Sequence, residues 1–168
     1  MQRRRWLRGA LTTVGLVGAG GVGALAALRG RAPAVAGLRF LDAQGYRTLR
    51  ALAEAALPRG GAFPFGAADT DLARAFDAFL ADEPRERQAE LATALLLLEY
   101  GPLLFDGRAV TFSHLSEAER LRHFETWATS EDLLRRKVSV GLRKFLLVVF
   151  YDRPEVWPAL GYSLPGAP

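Results

Sequence analysis

From residue 38 onward, apolar side chains recur at intervals of three and four, the spacing that puts them on one face of a helix. Asp42 stands before Tyr46, Leu49, Leu52, Ala53, Ala56 and Leu57, so the pattern predicts a first helix capped by Asp42 and stopped by Pro58-Arg59-Gly60-Gly61. After a loop to Ala68, Asp69 or Thr70 is placed to cap a second helix with Leu72, Ala75, Phe76, Phe79 and Leu80 on its inner face. Pro84 sits where a first helical position favours proline, and the third helix runs through Leu91, Ala94, Leu95 and Leu98 to a stop at Tyr100-Gly101-Pro102. Leu95-Leu96-Leu97-Leu98 is apolar most of the way round, which marks this helix as the central one.

The next stretch, Leu103 to His114, reads as a loop with an Asp106-Gly107 turn, around which a short hairpin is the alternative. Ser116-Glu117-Ala118-Glu119 is a capping box opening a fourth helix with Leu121, Phe124, Trp127 and Ala128 inward. Thr129 or Ser130 is placed to cap the fifth and longest helix, with Leu133, Leu134, Val138, Gly141, Leu142, Phe145, Leu146, Val149 and Phe150 as its apolar positions. Phe145 to Tyr151 alone has strand character, but the helical period upstream and the lack of a turn before it favour helix. The expected fold is all-α, an irregular bundle of about five helices with an irregular tail from Gly161.

The first 36 residues follow a different rule. Met1-Gln2-Arg3-Arg4-Arg5-Trp6-Leu7-Arg8 is a basic start, Gly9 to Leu28 carries no charge, and Ala34-Val35-Ala36 presents small residues at the two positions a signal peptidase reads. Arg3 and Arg4, followed by Trp6 and Leu7, are similar to a twin-arginine export signal, with Gln2, Trp6 and Arg8 departing from the usual residues. The Gly/Ala-rich middle is only mildly hydrophobic, which suits a route that carries folded cargo. An uncharged run of twenty residues also has the length of a membrane-spanning helix, so residues 1–36 read as a signal peptide or an anchor, and 37–168 as the folded domain. A competing reading takes Gly18, Gly20 and Gly23 as a dinucleotide-binding glycine motif with Asp42 as the ribose acid. It is weakened by Gly30 and Pro33 in the required helix and by the absence of further strand–helix–strand units downstream.

Charge and chemistry narrow the function. The net charge of +4 resides in the leader, whose residues 1–31 hold six arginines and no acid. The remainder is slightly acidic, so the high pI is no argument for nucleic-acid binding. No cysteine is present, which excludes disulfides, thiolate metal sites and thioether-linked haem in this chain. His114 and His123 have no nucleophile in context and are expected in surface or capping roles; Asp82, Glu83 and Glu86 gather at a helix start, where the dipole favours acids. Arg135-Arg136-Lys137 and Arg143-Lys144 form a basic stripe, read as a solvated face or as a surface for an acidic partner or phospholipid. Trp127, Tyr151, Trp157 and Tyr162 suit either the core or a subunit interface.

Phe124-x-x-Trp127-x-x-Ser130, Leu134-Arg135-Arg136 and Phe150-Tyr151-x-x-Pro154-x-x-Trp157-x-x-x-Gly161-Tyr162 resemble the gluconate 2-dehydrogenase subunit 3 family. Leu49 to Pro58 is similar to that family's first helix, and the leader to its twin-arginine leader. The resemblance spans roughly residues 38–165 and is most specific in the run from Phe150 to Tyr162. It implies a small non-catalytic subunit, without a cofactor of its own, that assists export, maturation and stability of a large FAD-containing subunit of the glucose–methanol–choline type. A cytochrome c subunit with haem c would accept the electrons. Further implied partners are the twin-arginine translocase, engaged by Arg3 and Arg4, and the membrane if the leader is kept. The expected location is the periplasm, or the inner membrane facing it. Trp127, Arg135, Arg136, Tyr151, Trp157 and Tyr162 are the candidate interface, and the lack of cysteine makes any association non-covalent. A stand-alone exported helical binding protein is the alternative.

Overall fold

A computed structural model describes residues 30–60 and 64–162. Arg3, Arg4, Trp6 and Leu7, which the sequence reads as an export signal, and the glycines Gly18, Gly20 and Gly23 lie outside the described residues. The chain divides between Arg31 and Ala32, so the body includes the Ala34-Val35-Ala36 segment that the sequence places in the leader.

Five α-helices and two 3-10 turns make up the body, with no strand among the described residues. They are α1 (Ala43–Ala56), α2 (Leu72–Asp82), α3 (Arg85–Asp106), a 3-10 turn at Phe112–His114, α4 (Glu117–Ala128), α5 (Leu133–Tyr151) and a 3-10 turn at Trp157–Leu160. The all-α architecture matches the helical periodicity. Among the described residues there is no parallel sheet of the kind a dinucleotide site requires. Asp42, the ribose acid of that reading, instead caps α1 by accepting a hydrogen bond from Gly45 N–H at 2.6 Å.

Helix α1 is the hub, a role the sequence assigned to the third helix. It meets α2, α3, α4 and the first 3-10 turn. Its buried face is built largely from Leu49, Leu52 and the small residues Ala51, Ala53 and Ala55, which let neighbouring helices approach. The four-leucine run of α3 divides between Leu95 and Leu98, which are buried, and Leu96, which is exposed. Helix α5 closes the bundle against α2, α3 and α4. There Ser139, buried, donates its hydroxyl to the Phe124 carbonyl of α4 at 3.0 Å.

Several helix ends differ from the sequence reading. Helix α2 begins after Asp71, a left-handed residue (φ 44°), because Asp69 is spent on the Gly66 N–H and the Arg59 guanidinium, and Thr70 on the carbonyls of Gly66 and Ala67. Helix α5 is capped by Asp132, which accepts from Leu134 N–H and Arg135 N–H; Ser130 in turn accepts from Asp132 N–H. The capping box at Ser116 and Glu119 forms as expected. Its hydroxyl and Arg108 hold the Glu119 carboxyl at a pKa of about 2.

The largest difference is at Gly101-Pro102. The helix does not stop there but continues to Asp106, and Gly107 ends it in the left-handed conformation, φ 64°, in place of a hairpin turn. Gly101 is needed for close packing rather than for a turn. A Cβ there would lie 2.5 Å from Trp127 Cζ2 and 2.8 Å from His123 Nε2.

Two buried carboxylates tie distant segments together. Glu99 on α3, fully buried, accepts from Thr48 Oγ1 on α1 (3.0 Å) and from Ser113 N–H (3.1 Å) and Oγ (2.7 Å) in the 3-10 turn, with Arg47 Nη2 at 3.8 Å. Asp77 on α2 accepts from the backbone N–H groups of Arg39 (2.6 Å), Phe40 (3.2 Å) and Leu41 (2.7 Å). It thereby docks the strap that precedes α1.

Ser113→Ala removes one donor from the buried Glu99 carboxylate and is expected to cost about 1–3 kcal/mol in urea unfolding. Glu90→Gln on the exposed side of the same helix should stay within about 0.5 kcal/mol of the parent. Gly101→Ala should destabilise by at least ~1 kcal/mol, although alanine is the better helix former by about that amount, because the added methyl must displace the Trp127 ring. An unchanged melting temperature for Gly101→Ala would contradict the packing described.

Candidate functional site

Helix α5 carries more apolar residues than one face can bury. Val138, Leu142, Leu146, Val149 and Phe150 enter the core. A second stripe, at spacings of four, three, four, four and three, consists of Leu133, Lys137, Val140, Lys144, Val148 and Tyr151 and faces outward. Leu133, Val140 and Val148 are 55%, 54% and 50% exposed, and five of the nine large exposed hydrophobics among the described residues belong to this helix. Leu133 and Leu134, grouped by the sequence with the inner positions, are therefore on the surface. The signal was the surplus: two interleaved apolar sets on one helix, where a solvated helix needs one.

Beside this stripe, α3 and α5 diverge to leave an apolar groove of about 600 Å³, lined by Ala94, Leu97, Leu134, Val138, Gly141 and Phe145 among others. At Gly141 the groove is open space, where a Cβ would meet no atom within 4 Å. Lys137, at its edge, and Lys144 are exposed and have no ion pair among the described residues.

The candidate interface residues fall into three groups. Trp127 is 1% exposed and packs edge-on against Phe105 and beside His123, so its ring is a core element and not a contact surface. Arg135 and Arg136 are engaged within the body: Arg135 lies over the Phe105 ring at 5.3 Å, and Arg136 donates to the Ser130 carbonyl. The cations facing outward along the stripe are instead the lysines.

Tyr151, Trp157 and Tyr162 are brought together at the far end of α5. Trp157 Nε1–H donates to the Tyr151 carbonyl at 2.9 Å, the Trp157 and Tyr162 rings meet edge to face at 5.8 Å, and Gly161 takes the left-handed conformation that turns the chain back. This clasp rationalises the spacing of the Phe150–Tyr162 run. Val156, fully buried, anchors it, and Phe150 reaches the Phe65 ring. Tyr151 and Tyr162 stay 43% and 55% exposed, which continues the outward stripe of α5.

The acid and histidine candidates resolve into structural roles. Asp82 pairs with Arg39 at 2.7 Å and Glu83 with Arg87 at 3.1 Å, so the cluster is dispersed over separate arginines. His114 is exposed, with Nδ1 2.8 Å from Thr111 Oγ1. His123, expected on the surface or at a cap, is nearly buried, with Nδ1 2.9 Å from Asp106 Oδ2. This dyad has the geometry of a base and its orienting acid, and its Nε2 is buried beneath Gly101 and Trp127. No three His, Asp or Glu side chains converge as metal ligands among the described residues, and none of their helices is long and apolar enough to cross a membrane.

Burial is the main force lowering the His123 pKa below its usual 6.5. Asp106 opposes it, while Arg108 and Arg135 add to it. The folded state therefore holds the neutral ring more tightly than the unfolded state does. Its contribution to stability is complete above pH 6.5 and is lost as the pH falls from there through the folded pKa. Melting temperatures followed from pH 7.5 to 5 should decline for the parent and decline less steeply for His123→Gln; parallel curves would remove His123 as the source. The chain matches no family model, no curated protein and no solved structure.

Proposed function

We propose that this chain is an exported accessory subunit that grips a folded flavoprotein partner through the outward face of α5. The partner is a large FAD-containing dehydrogenase subunit of the glucose–methanol–choline type, acting on a sugar or alcohol, with a cytochrome c subunit as electron acceptor. FAD and haem c belong to those partners. The complex works in the periplasm or at the periplasmic face of the inner membrane. Arg3 and Arg4 engage the twin-arginine translocase and bring the folded partner along.

The observation that carries this reading is the α5 stripe. Leucine and valine side chains half exposed on a helix are a standing cost in water, and a row of them interleaved with unpaired lysines has the composition of an interface with an apolar centre and an acidic counterpart. The groove at Gly141 offers a neighbouring recess for an anchor side chain. The resemblance of the leader and of the Phe150–Tyr162 run supplies the identity of the partner.

The test is co-expression with a large FAD-containing subunit of the glucose–methanol–choline type from the same genome. Replacing Arg3 and Arg4 by lysine should leave both proteins in the cytoplasm. Gly141→Leu places a side chain in the groove at a point where the added Cβ meets no atom within 4 Å, and should weaken capture of the flavoprotein at least ~10-fold, the equivalent of about 1.4 kcal/mol, while the melting temperature holds or rises. If the flavoprotein is captured and exported equally with both variants, the accessory role is wrong and a stand-alone exported protein takes its place.

A further inference from the structure

The Ala34-Val35-Ala36 segment has the residues of a signal-peptidase site, yet it belongs to the folded body. A signal peptidase binds its substrate as an extended strand, with small side chains at the first and third positions before the bond it cuts, and polarises the carbonyl of the first. Here that bond is Ala36–Gly37, and it lies in a turn: Gly37 has φ +76°, a left-handed conformation incompatible with an extended strand. The carbonyl in question, Ala36 C=O, already accepts a hydrogen bond from Arg74 Nη1 at 2.9 Å.

The residues on both sides are held as well. Ala32 is buried, and Val35, Leu38 and Phe40 pack against the core. On the downstream side the amides of Arg39, Phe40 and Leu41 converge on Asp77, and the Arg39 guanidinium pairs with Asp82 through two hydrogen bonds of 3.0 and 2.7 Å. To present Ala36–Gly37 as a strand, the body must release Arg74, Asp77 and the apolar contacts of the strap together. A route that delivers the chain already folded delivers it with the site closed.

We infer that folding seals this cleavage site, so that the exported chain keeps its leader, with the stretch that ends before the body at Arg31 serving as a membrane anchor. The inference rests on the export reading above and specifies the fate of its leader. The uncharged run from Gly9 to Leu28 has the length to span the hydrocarbon core, about 30 Å as a helix, with the arginines at 3–5 on the cytoplasmic side.

Expression in a bacterium with an intact twin-arginine translocase and signal peptidase, followed by fractionation and intact-mass measurement, tests it. The expected product is the full 18.3 kDa chain in the membrane fraction, with the body digested by protease added outside spheroplasts. A short Gly/Ser insertion after Ala36 combined with Arg74→Ala leaves the Asp77 clamp intact but frees the scissile bond and its carbonyl, and should yield a soluble periplasmic form lacking the leader. Arg74→Ala with Asp77→Ala should do the same, with circular dichroism checking that the helices remain. A parent chain that begins at Gly37 overturns the inference while leaving export intact, and so does an exported insertion variant that stays uncut. Full-length protein confined to the cytoplasm overturns the export reading itself, and this inference falls with it.

Discussion

The buried Glu99 carboxylate is the constraint around which the bundle is assembled. A buried carboxyl must be met by hydrogen-bond partners fixed in place, and here they come from two other parts of the chain: Thr48 on the hub helix and Ser113 in the 3-10 turn. The turn is short and has little hydrophobic area of its own beyond Phe112, so its position depends on that carboxylate. Once α3 and the turn are fixed on α1, Phe112 and His123 meet, and α4 follows through Trp127 and Gly101. Apolar packing drives the collapse, but it is the polar network that selects one register of α1 against α3, because a helical slip would leave the buried carboxyl without its hydrogen-bond partners.

Most of the helical frame was legible because periodicity and caps are local. Asp42, the Ser116–Glu119 box and the Pro58 stop each act within a few residues. Gly101-Pro102 misled for a related reason: the same two residues that punctuate a chain also permit close helix contact, and only the arrival of Trp127 from α4 distinguishes the two uses. Glu99 and Asp77 resemble the solvated acids of any helix. Their partners lie 51 and 36–38 residues away in Thr48 and the 39–41 strap, a distance no periodic pattern spans. The same holds for Trp127, whose burial depends on a glycine in another helix, and for His123, whose burial contradicts its surface expectation.

The candidate site was half legible. The clasp of Tyr151, Trp157 and Tyr162 was visible as spaced aromatics, whereas the exposed stripe of α5 was hidden among core positions of similar composition. What separates Val140 from Val138 is the phase of the helix against α2, α3 and α4, and that phase is set by tertiary contacts such as Ser139 to the Phe124 carbonyl. The basic residues divide in the same way. Arg135 and Arg143 lie flat on Phe105 and Phe124 and serve the fold, which leaves Lys137 and Lys144 to the outward face.

The strap that precedes α1 has a mechanical side. It is the point where any pull on the N-terminus enters the body. Such a pull meets the packing of Ala32 and Val35 first, then the Arg74–Ala36 hydrogen bond, the three amides on Asp77 and the apolar contacts of Leu38 and Phe40, before it reaches the first turn of α1. Because Asp77 sits on α2, the load passes sideways into a second helix instead of peeling α1 from its end. A machine that threads unfolded chains must break this joint at its first stroke. One that moves whole folded bodies can use the same joint as its tow point.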